Sequence, residues 1–213
     1  GVGKTILIKR LKNSIDLEAL ANHRGSSFGR HISAQPVQAD FENRLAAALV
    51  RHSHLDFRYM IVEDEGRHIG KRFLPNPLAQ FFADGQLIIV EAPLERRIEI
   101  TFDEYVVAAQ QTYQQQFGVC RGMEKWIVEM ESGVDRIARR LGSALHQRVK
   151  EQLGDACRAQ KQSGNMELHK IWVGQLLSCY YDPMYDFQLA KDRRTILFKG
   201  SPAEVEAYLA SIE

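Results

Sequence analysis

Cysteine is scarce and odd in number in this chain of 213 residues: Cys120, Cys157 and Cys179, far apart in sequence. That excludes a disulfide-stapled scaffold and a C-x-x-C metal pair, and it predicts buried, reduced thiols in a cytoplasmic protein. No apolar run approaches the length of a membrane span and no secretory leader is visible, so the expectation is an enzyme with no membrane partner. An excess of one charge is lacking too. The net charge is +1, so any attraction for nucleic acid must come from a local patch. There is no internal repeat and no low-complexity tract. What remains, 45% apolar and 26% charged residues, suits a globular chain long enough to bury its own core.

The opening "GVGKTILIKRLK" carries the closing part of a Walker A loop, with Gly3, Lys4 and Thr5 as G-K-[ST] ahead of an apolar helix. The first glycine of G-x-x-x-x-G-K-[ST], and the strand that feeds the loop, are not in the sequence. In such a loop Gly1, Val2 and Gly3 present backbone N–H groups to phosphate oxygens, Lys4 adds a point charge and Thr5 ligates Mg²⁺. Downstream, "QADFENRLAAALV" has helical period, "YMIVEDE" and "QLIIVEAP" read as buried strands, and "NPLAQFFADG" reads as a helix capped by Asn76. From Asp103 to Cys179 the period is helical almost throughout. Met123, Trp126, Ile127, Met130, Val134, Ile137 and Leu141 form one stripe, and Leu168, Ile171, Trp172 and Leu176 form another. "RRTILFKG" returns to strand, and "SPAEVEAYLASIE" opens on a Ser201–Glu204 capping box.

Alternating buried strands and helices predict an α/β fold, a P-loop NTPase-like parallel sheet with helices on both faces, its first strand truncated. The expected organisation is a core over 1–102, a helical insertion over 103–182, and a return to the core over 183–213.

Several groups have side chains suited to chemistry. Glu63, Asp64 and Glu65 end a strand where a P-loop protein places a carboxylate for Mg²⁺; Thr5, Glu63 and Asp64 are the expected metal set. In "DLEALANHRGSSFG", Asp16 and Glu18 are candidate bases, Asn22, His23 and Arg24 suit an anionic group, and Ser26 and Ser27 offer close donors. A plain polar connection is the alternative. Arg67, Lys71, Arg72, Arg96 and Arg97 are cationic candidates near strand ends, with Arg96 preferred for phosphate. Between Arg136 and Lys161 seven Arg and Lys residues face two carboxylates. Arg136, Arg139, Arg140, Arg148 and Lys150 are the candidates for an RNA backbone, against the plainer reading of a solvated helix face. His146 and His169 read as ordinary helix residues.

Four of these stretches, "DLEALANHRGSSFG", "QPVQADFENRLA", "VEDEGRHIG" and "YYDPMYDFQL", resemble the C-terminal P-loop domain of bacterial tRNA 2-selenouridine synthases, and the likeness runs over essentially the whole chain. Ala19 stands where that pattern has glycine. The resemblance implies that a rhodanese-like domain bearing the catalytic cysteine precedes this domain, so that this chain is a fragment cut within the loop. It implies conversion of wobble 2-thiouridine in tRNA to 2-selenouridine through an S-geranyl intermediate, with geranyl diphosphate and selenophosphate as co-substrates. The loop would then hold a diphosphate, with Mg²⁺, and the basic stretch would dock tRNA. The residues themselves also admit an ATP-dependent small-molecule kinase, with Asp16 as base and Arg96 in a lid, and a non-catalytic RNA-binding module; whether ATP or GTP is bound stays open.

Overall fold

The computed structural model describes residues 2–212 and divides the chain into two compact units. One comprises Val2–Ala92 and the chain from Arg193 on; the other is Pro93–Asp192.

The first unit is mixed α/β. Its elements are α1 (Lys4–Arg10), β1 (Ser14–Ile15), α2 (Leu17–Ala21), α3 (Gln38–Ser53), β2 (Ile61–Val62), β3 (His68–Ile69), β4 (Arg72–Phe73), α4 (Asn76–Ala83) and β5 (Leu87–Val90). The helical unit intervenes, and then β6 (Ile196–Gly200) and α12 (Pro202–Ile212) follow. Among the described residues the strands form three two-stranded sheets rather than one continuous sheet. β1 and β2 pair in parallel through Ser14↔Ile61 and Ile15↔Val62, β5 and β6 pair in parallel from Leu87↔Ile196 to Val90↔Gly200, and β3–β4 is an antiparallel hairpin. Parallelism matters, because parallel pairs need covering on both faces. One apolar cluster gathers Ile15, Leu17, Ala21, Phe41, Leu45, Ile69 and Leu74. A second gathers Leu7, Val205 and Leu209, with Ile61, Ile88, Val90 and Phe198 packed against them. The hairpin leaves no mark in the sequence pattern, although it buries Ile69 completely. Its two-residue strands are too short for periodicity to register.

The last helix follows its sequence closely. Ser201 N–H and Oγ both meet Glu204 Oε2, at 2.8 and 2.7 Å, and Glu204 N–H reaches Ser201 Oγ at 3.4 Å, a reciprocal capping box. Val205 and Leu209 are buried and Tyr208 stacks on Phe198. At α4 the boundary differs by one residue: Pro75 caps and Asn76 is already helical.

The second unit is helical. It runs through α5 (Leu94–Phe102), a π-helical stretch (Asp103–Ala108), α6 (Ala109–Phe117), α7 (Val119–Arg136), α8 (Ala138–Leu141), α9 (Ser143–Ser163) and α10 (His169–Leu176). A second π-helical stretch (Leu177–Tyr181) then leads into α11 (Asp182–Lys191). The unit takes in α5 and α11, because both continue through the π-helical stretches into neighbouring helices without a break. Trp126, Met130, Val134 and Ile137 are buried, as their spacing predicts. The second stripe is corrected: Trp172 and Leu176 are buried, but Leu168 and Ile171 are exposed, and His169 and Val173 take the inner positions. The thiols are corrected as well, since Cys120 and Cys179 are exposed and Cys157 is half-buried.

His169 is therefore no ordinary helix residue. Trp172 Nε1–H, which can only donate, reaches His169 Nδ1 at 3.0 Å, so Nδ1 is the bare nitrogen. Nε2 then carries the hydrogen and donates to Gln160 Oε1 at 2.9 Å, while Gln160 Nε2 donates to Gln110 Oε1 at 2.7 Å. Burial holds the imidazole neutral and pushes its pKa down from 6.5 to about 4. Between those two values the unfolded chain takes up a proton that the folded chain does not, so this contribution to stability is present above pH 6.5 and is lost as pH falls toward 4. Thermal unfolding followed by circular dichroism across that interval will show a Tm that falls less steeply in His169→Gln than in the parent chain. Parallel curves would show that the proton is not excluded.

Candidate functional site

The short helix α1 starts from a left-handed glycine. Gly3 sits at φ 86°, the left-handed region that glycine alone adopts without cost, and its carbonyl accepts the first helical bonds from Ile6 and Leu7. Gly1, assigned to the same loop by sequence, lies outside the described residues; Val2 is half-buried. Lys4 and Thr5 follow at the first turn, where backbone N–H groups have no helical acceptor.

Two carboxylates meet these residues. Lys4 Nζ lies 3.4 Å from Glu65 Oε1, and Thr5 Oγ1 donates to Glu18 Oε2 at 3.4 Å. The lysine is 42% exposed and the glutamate 14%, so the ion pair contributes about 0–1 kcal/mol. It orients the groups more than it stabilises the fold. Gly25, in the middle of "ANHRGSSFG", lies directly against both acids. At φ +66° a Cβ there would stand 2.0 Å from Glu65 Oε2 and 2.7 Å from Glu18 Oε1. The start of α1, the helix α2, the acidic strand end and this loop thus converge on one corner.

The loop's other residues serve different ends. Asp16 Oδ1 accepts from Ala19 N–H at 2.7 Å and caps α2. Asn22, left-handed at φ 50°, ends α2, and its Nδ2 reaches Ser33 O, Ser33 Oγ and Ala34 O. His23 is buried and accepts from Gly25 N–H through Nδ1 at 3.1 Å. Arg24 N–H bonds Gly29 O, Ser26 N–H bonds Arg24 O and Gly29 N–H bonds Ser26 O, closing a tight turn. Ser26 Oγ accepts from Phe28 N–H, and Ser27 is half-buried.

The three acids of "YMIVEDE" part company. Glu63 is 5% exposed and its Oε2 accepts from Leu17 N–H at 2.9 Å. Burial, with Asp16 and Glu18 nearby, pushes its pKa up to about 8, and its Oε1 is buried without a hydrogen-bond partner. Asp64 is held by both Nη atoms of Arg194, at 3.2 and 2.6 Å. Only Glu65 faces the loop corner. Among the described residues no group of three His, Cys, Asp or Glu side chains is placed to hold a metal alone. Mg²⁺ takes one or two carboxylates and completes its shell from water and substrate phosphates, and Glu18 and Glu65 are the carboxylates that approach Thr5 and Lys4. The Arg194–Asp64 pair and the Glu65–Gly25 approach carry no local sequence signal, because both join residues far apart in the chain.

The remaining cations are scattered. Arg67 lies over the Phe73 ring at 5.5 Å, Lys71 N–H donates to Gln35 Oε1 at 2.7 Å, and Arg72 Nε is buried. In the helical unit Arg96 is exposed on α5, and Arg97 grips Asp182 with both Nη atoms. Of the basic stretch, Arg136 pairs with Glu129 at 2.6 Å, Lys150 pairs with Asp135 at 3.1 Å and Arg140 donates to Tyr180 Oη at 3.4 Å, while Arg139 and Arg148 are exposed. No helix among the described residues is long and apolar enough to cross a membrane.

A left-handed glycine, a lysine and a hydroxyl at a helix start, faced by carboxylates, define the closing half of a phosphate-binding loop of the P-loop class. The chain matches the family "tRNA 2-selenouridine synthase AAA domain" over residues 1–213, and it belongs to that family. It is 45% identical over 209 residues to a protein named tRNA 2-selenouridine synthase from Sulfurovum sp. strain NBC37-1, covering 98% of this chain and 57% of that protein. It is 44% identical to the one from Alcanivorax borkumensis, covering 99% of this chain and 58% of the relative. To the one from Hydrogenovibrio crunogenus it is 42% identical, covering 99% and 56% respectively. The chain thus spans somewhat over half the length of these curated relatives. No solved structure matches it.

The close approach at Gly25 is testable with an internal control. Gly66 has the same φ of +66°, but a Cβ placed there would meet nothing within 4 Å, so Gly66→Ala carries the backbone strain alone. Gly25→Ala will lower Tm further than Gly66→Ala, because its methyl group must displace Glu65 and Glu18. Equal losses would mean that the carboxylates do not pack there.

Proposed function

We propose that this chain is the diphosphate-binding part of an enzyme that converts wobble 2-thiouridine in tRNA to 2-selenouridine. The donors in this reading are geranyl diphosphate and selenophosphate, tRNA is the partner, and a rhodanese domain belongs to the intact cytoplasmic protein. The observation that carries it is the corner where Lys4, Thr5, Glu18, Glu65 and the Gly25 backbone converge.

The fold supports the reading through its open strand edges. Among the described residues β2 pairs only with β1 and β5 only with β6, yet Ile61, Ile88, Val90 and Phe198 share one apolar cluster with Leu7 of α1. In this reading the two pairs are the two sides of a single parallel sheet, and the strand that enters the phosphate loop lies between them.

In the first step the tRNA sulfur attacks C1 of the geranyl group, the C1–O bond breaks, and pyrophosphate departs with the electron pair. Charge grows on the leaving oxygens, so Lys4 and the N–H groups of the α1 entry stabilise the transition state more than the ground state. Mg²⁺, when bound, would supply further positive charge; Thr5, Glu18 and Glu65 are the residues we assign to hold it, with buried Glu63, whose Oε1 has no partner, beside them, while Asp64 is held by Arg194. Arg96, exposed on α5, keeps its candidacy as a cation for a phosphate group. Arg24, Ser26 and Ser27 are assigned to substrate contacts. Asp16 and Asn22 shape the loop, and Asp16's place at the α2 cap disfavours a kinase base.

Incubating the full-length protein with 2-thiouridine tRNA and either geranyl diphosphate or ATP, then digesting and weighing the nucleosides, tests the reaction. A geranyl mass gain that requires the prenyl donor is the expected result; ATP turnover over an unmodified nucleoside would overturn it. Lys4→Ala will lower geranyl transfer by about 10²-fold or more, the scale for losing one charge-stabilising donor, while tRNA binding stays nearly unchanged. Equal losses of both would remove Lys4 from the diphosphate.

A further inference from the structure

"YYDPMYDFQL" marks the family resemblance, yet neither a core nor the phosphate site accounts for it. α11, which holds most of it, has no buried residue. Tyr185 is 52% exposed and Phe187 61% exposed, with Lys191 Nζ 4.0 Å over the Phe187 ring. They are nonetheless arranged. Tyr180, buried, meets Tyr181 edge-on at 4.9 Å, and Tyr185 stacks over Tyr181 at 6.3 Å with 24° between planes. Arg140 anchors the foot of the ladder through Tyr180 Oη at 3.4 Å, with exposed Arg139 beside it on α8. The ladder rises from the π-helical stretch Leu177–Tyr181, a distortion often kept where a helix carries function. Asp182 is gripped by Arg97, and Asp186 lies in the field of the same guanidinium.

We infer that this ladder is a stacking platform for an unpaired base of RNA, with Tyr185 as its outer face and Arg139 and Arg140 meeting the adjoining phosphates. This rests on the tRNA reading above and gives it a specific contact. The chemistry fits single-stranded nucleic acid: flat aromatic faces accept bases of any identity, and arginine beside them takes the backbone charge. Paired bases are already stacked on one another and have no use for the platform. A protein partner would need a continuous apolar stripe. Tyr185 and Leu189, four residues apart, share a face of α11, but Asp182 and Gln188 flank them and Phe187 lies on the opposite side, so the apolar strip is narrow and the arginines beside the ladder select RNA. The inference also places the arginines α8 contributes to the basic stretch beside the aromatic side chains.

The test is fluorescence anisotropy of the chain with two labelled RNAs at fixed salt: a hairpin with a single-stranded loop, and a fully paired duplex of the same length. Tyr185→Ala will weaken hairpin binding about tenfold, the scale of one lost stacking contact, and leave duplex binding unchanged. Tyr185→Trp will restore it. Arg140→Ala will weaken both RNAs and reduce the dependence on salt. Undiminished hairpin binding in Tyr185→Ala, an equal loss on the duplex, or no hairpin binding by the parent chain would each overturn the platform. So would a change in self-association with RNA binding unaltered, which would assign the surface to a second copy. No donor is present in this assay, so its failure leaves the geranyl-transfer reading to be judged separately.

Discussion

Everything at the phosphate corner depends on the chain passing within contact distance of two carboxylates at Gly25. Gly25 holds φ +66° without strain, and a Cβ there would force the ends of the Glu65 and Glu18 side chains to turn aside. Those acids in turn meet Lys4 and Thr5. The ion pair itself is worth little in partly exposed surroundings, about 0–1 kcal/mol. Its importance is geometric: the helix that starts at Lys4, the cap at Asp16, the strand ending in Glu65 and the Ser-rich turn are brought to one place by apolar clusters on either side, and the corner inherits their rigidity.

The same constraint sorts three consecutive acids into three roles. Glu63 is drawn inward to satisfy Leu17 N–H; Asp64 turns to Arg194; Glu65 faces the lysine. A site that loaded all three as charged groups beside the phosphate loop would repel an anionic substrate. Burial raises the pKa of one and an arginine pairs with another, which lowers the negative charge that this corner carries.

Much of this is legible from local pattern. The α1 entry, α3, β2, β5, β6 and the Ser201–Glu204 box are all encoded over a few residues, by period or by capping chemistry, and so can be read directly. What escapes is long-range or very short. The β3–β4 hairpin has two residues per strand, too few for any period. Arg194 reaches Asp64 across 130 residues of sequence. His169 reads as an ordinary helix residue in sequence because a lone histidine carries no sign of the tryptophan and glutamine that fix its tautomer. Leu168 and Ile171 fall outside the buried face because that face runs through His169, Trp172, Val173 and Leu176, and a histidine at its start gives it no apolar mark in the sequence. Of the candidate site, residue types are readable and partners are not: Asp16 and Asn22 shape the loop, and Glu65 is the acid at the corner.

The central claim, that the Lys4–Thr5 corner holds a diphosphate, is tested most directly by calorimetric titration of geranyl diphosphate into the full-length protein with Mg²⁺, with and without inorganic pyrophosphate. The account predicts saturable binding that pyrophosphate competes away and that disappears in Lys4→Ala. Binding of geranyl diphosphate that is indifferent to both pyrophosphate and Lys4 would place the donor elsewhere and contradict it.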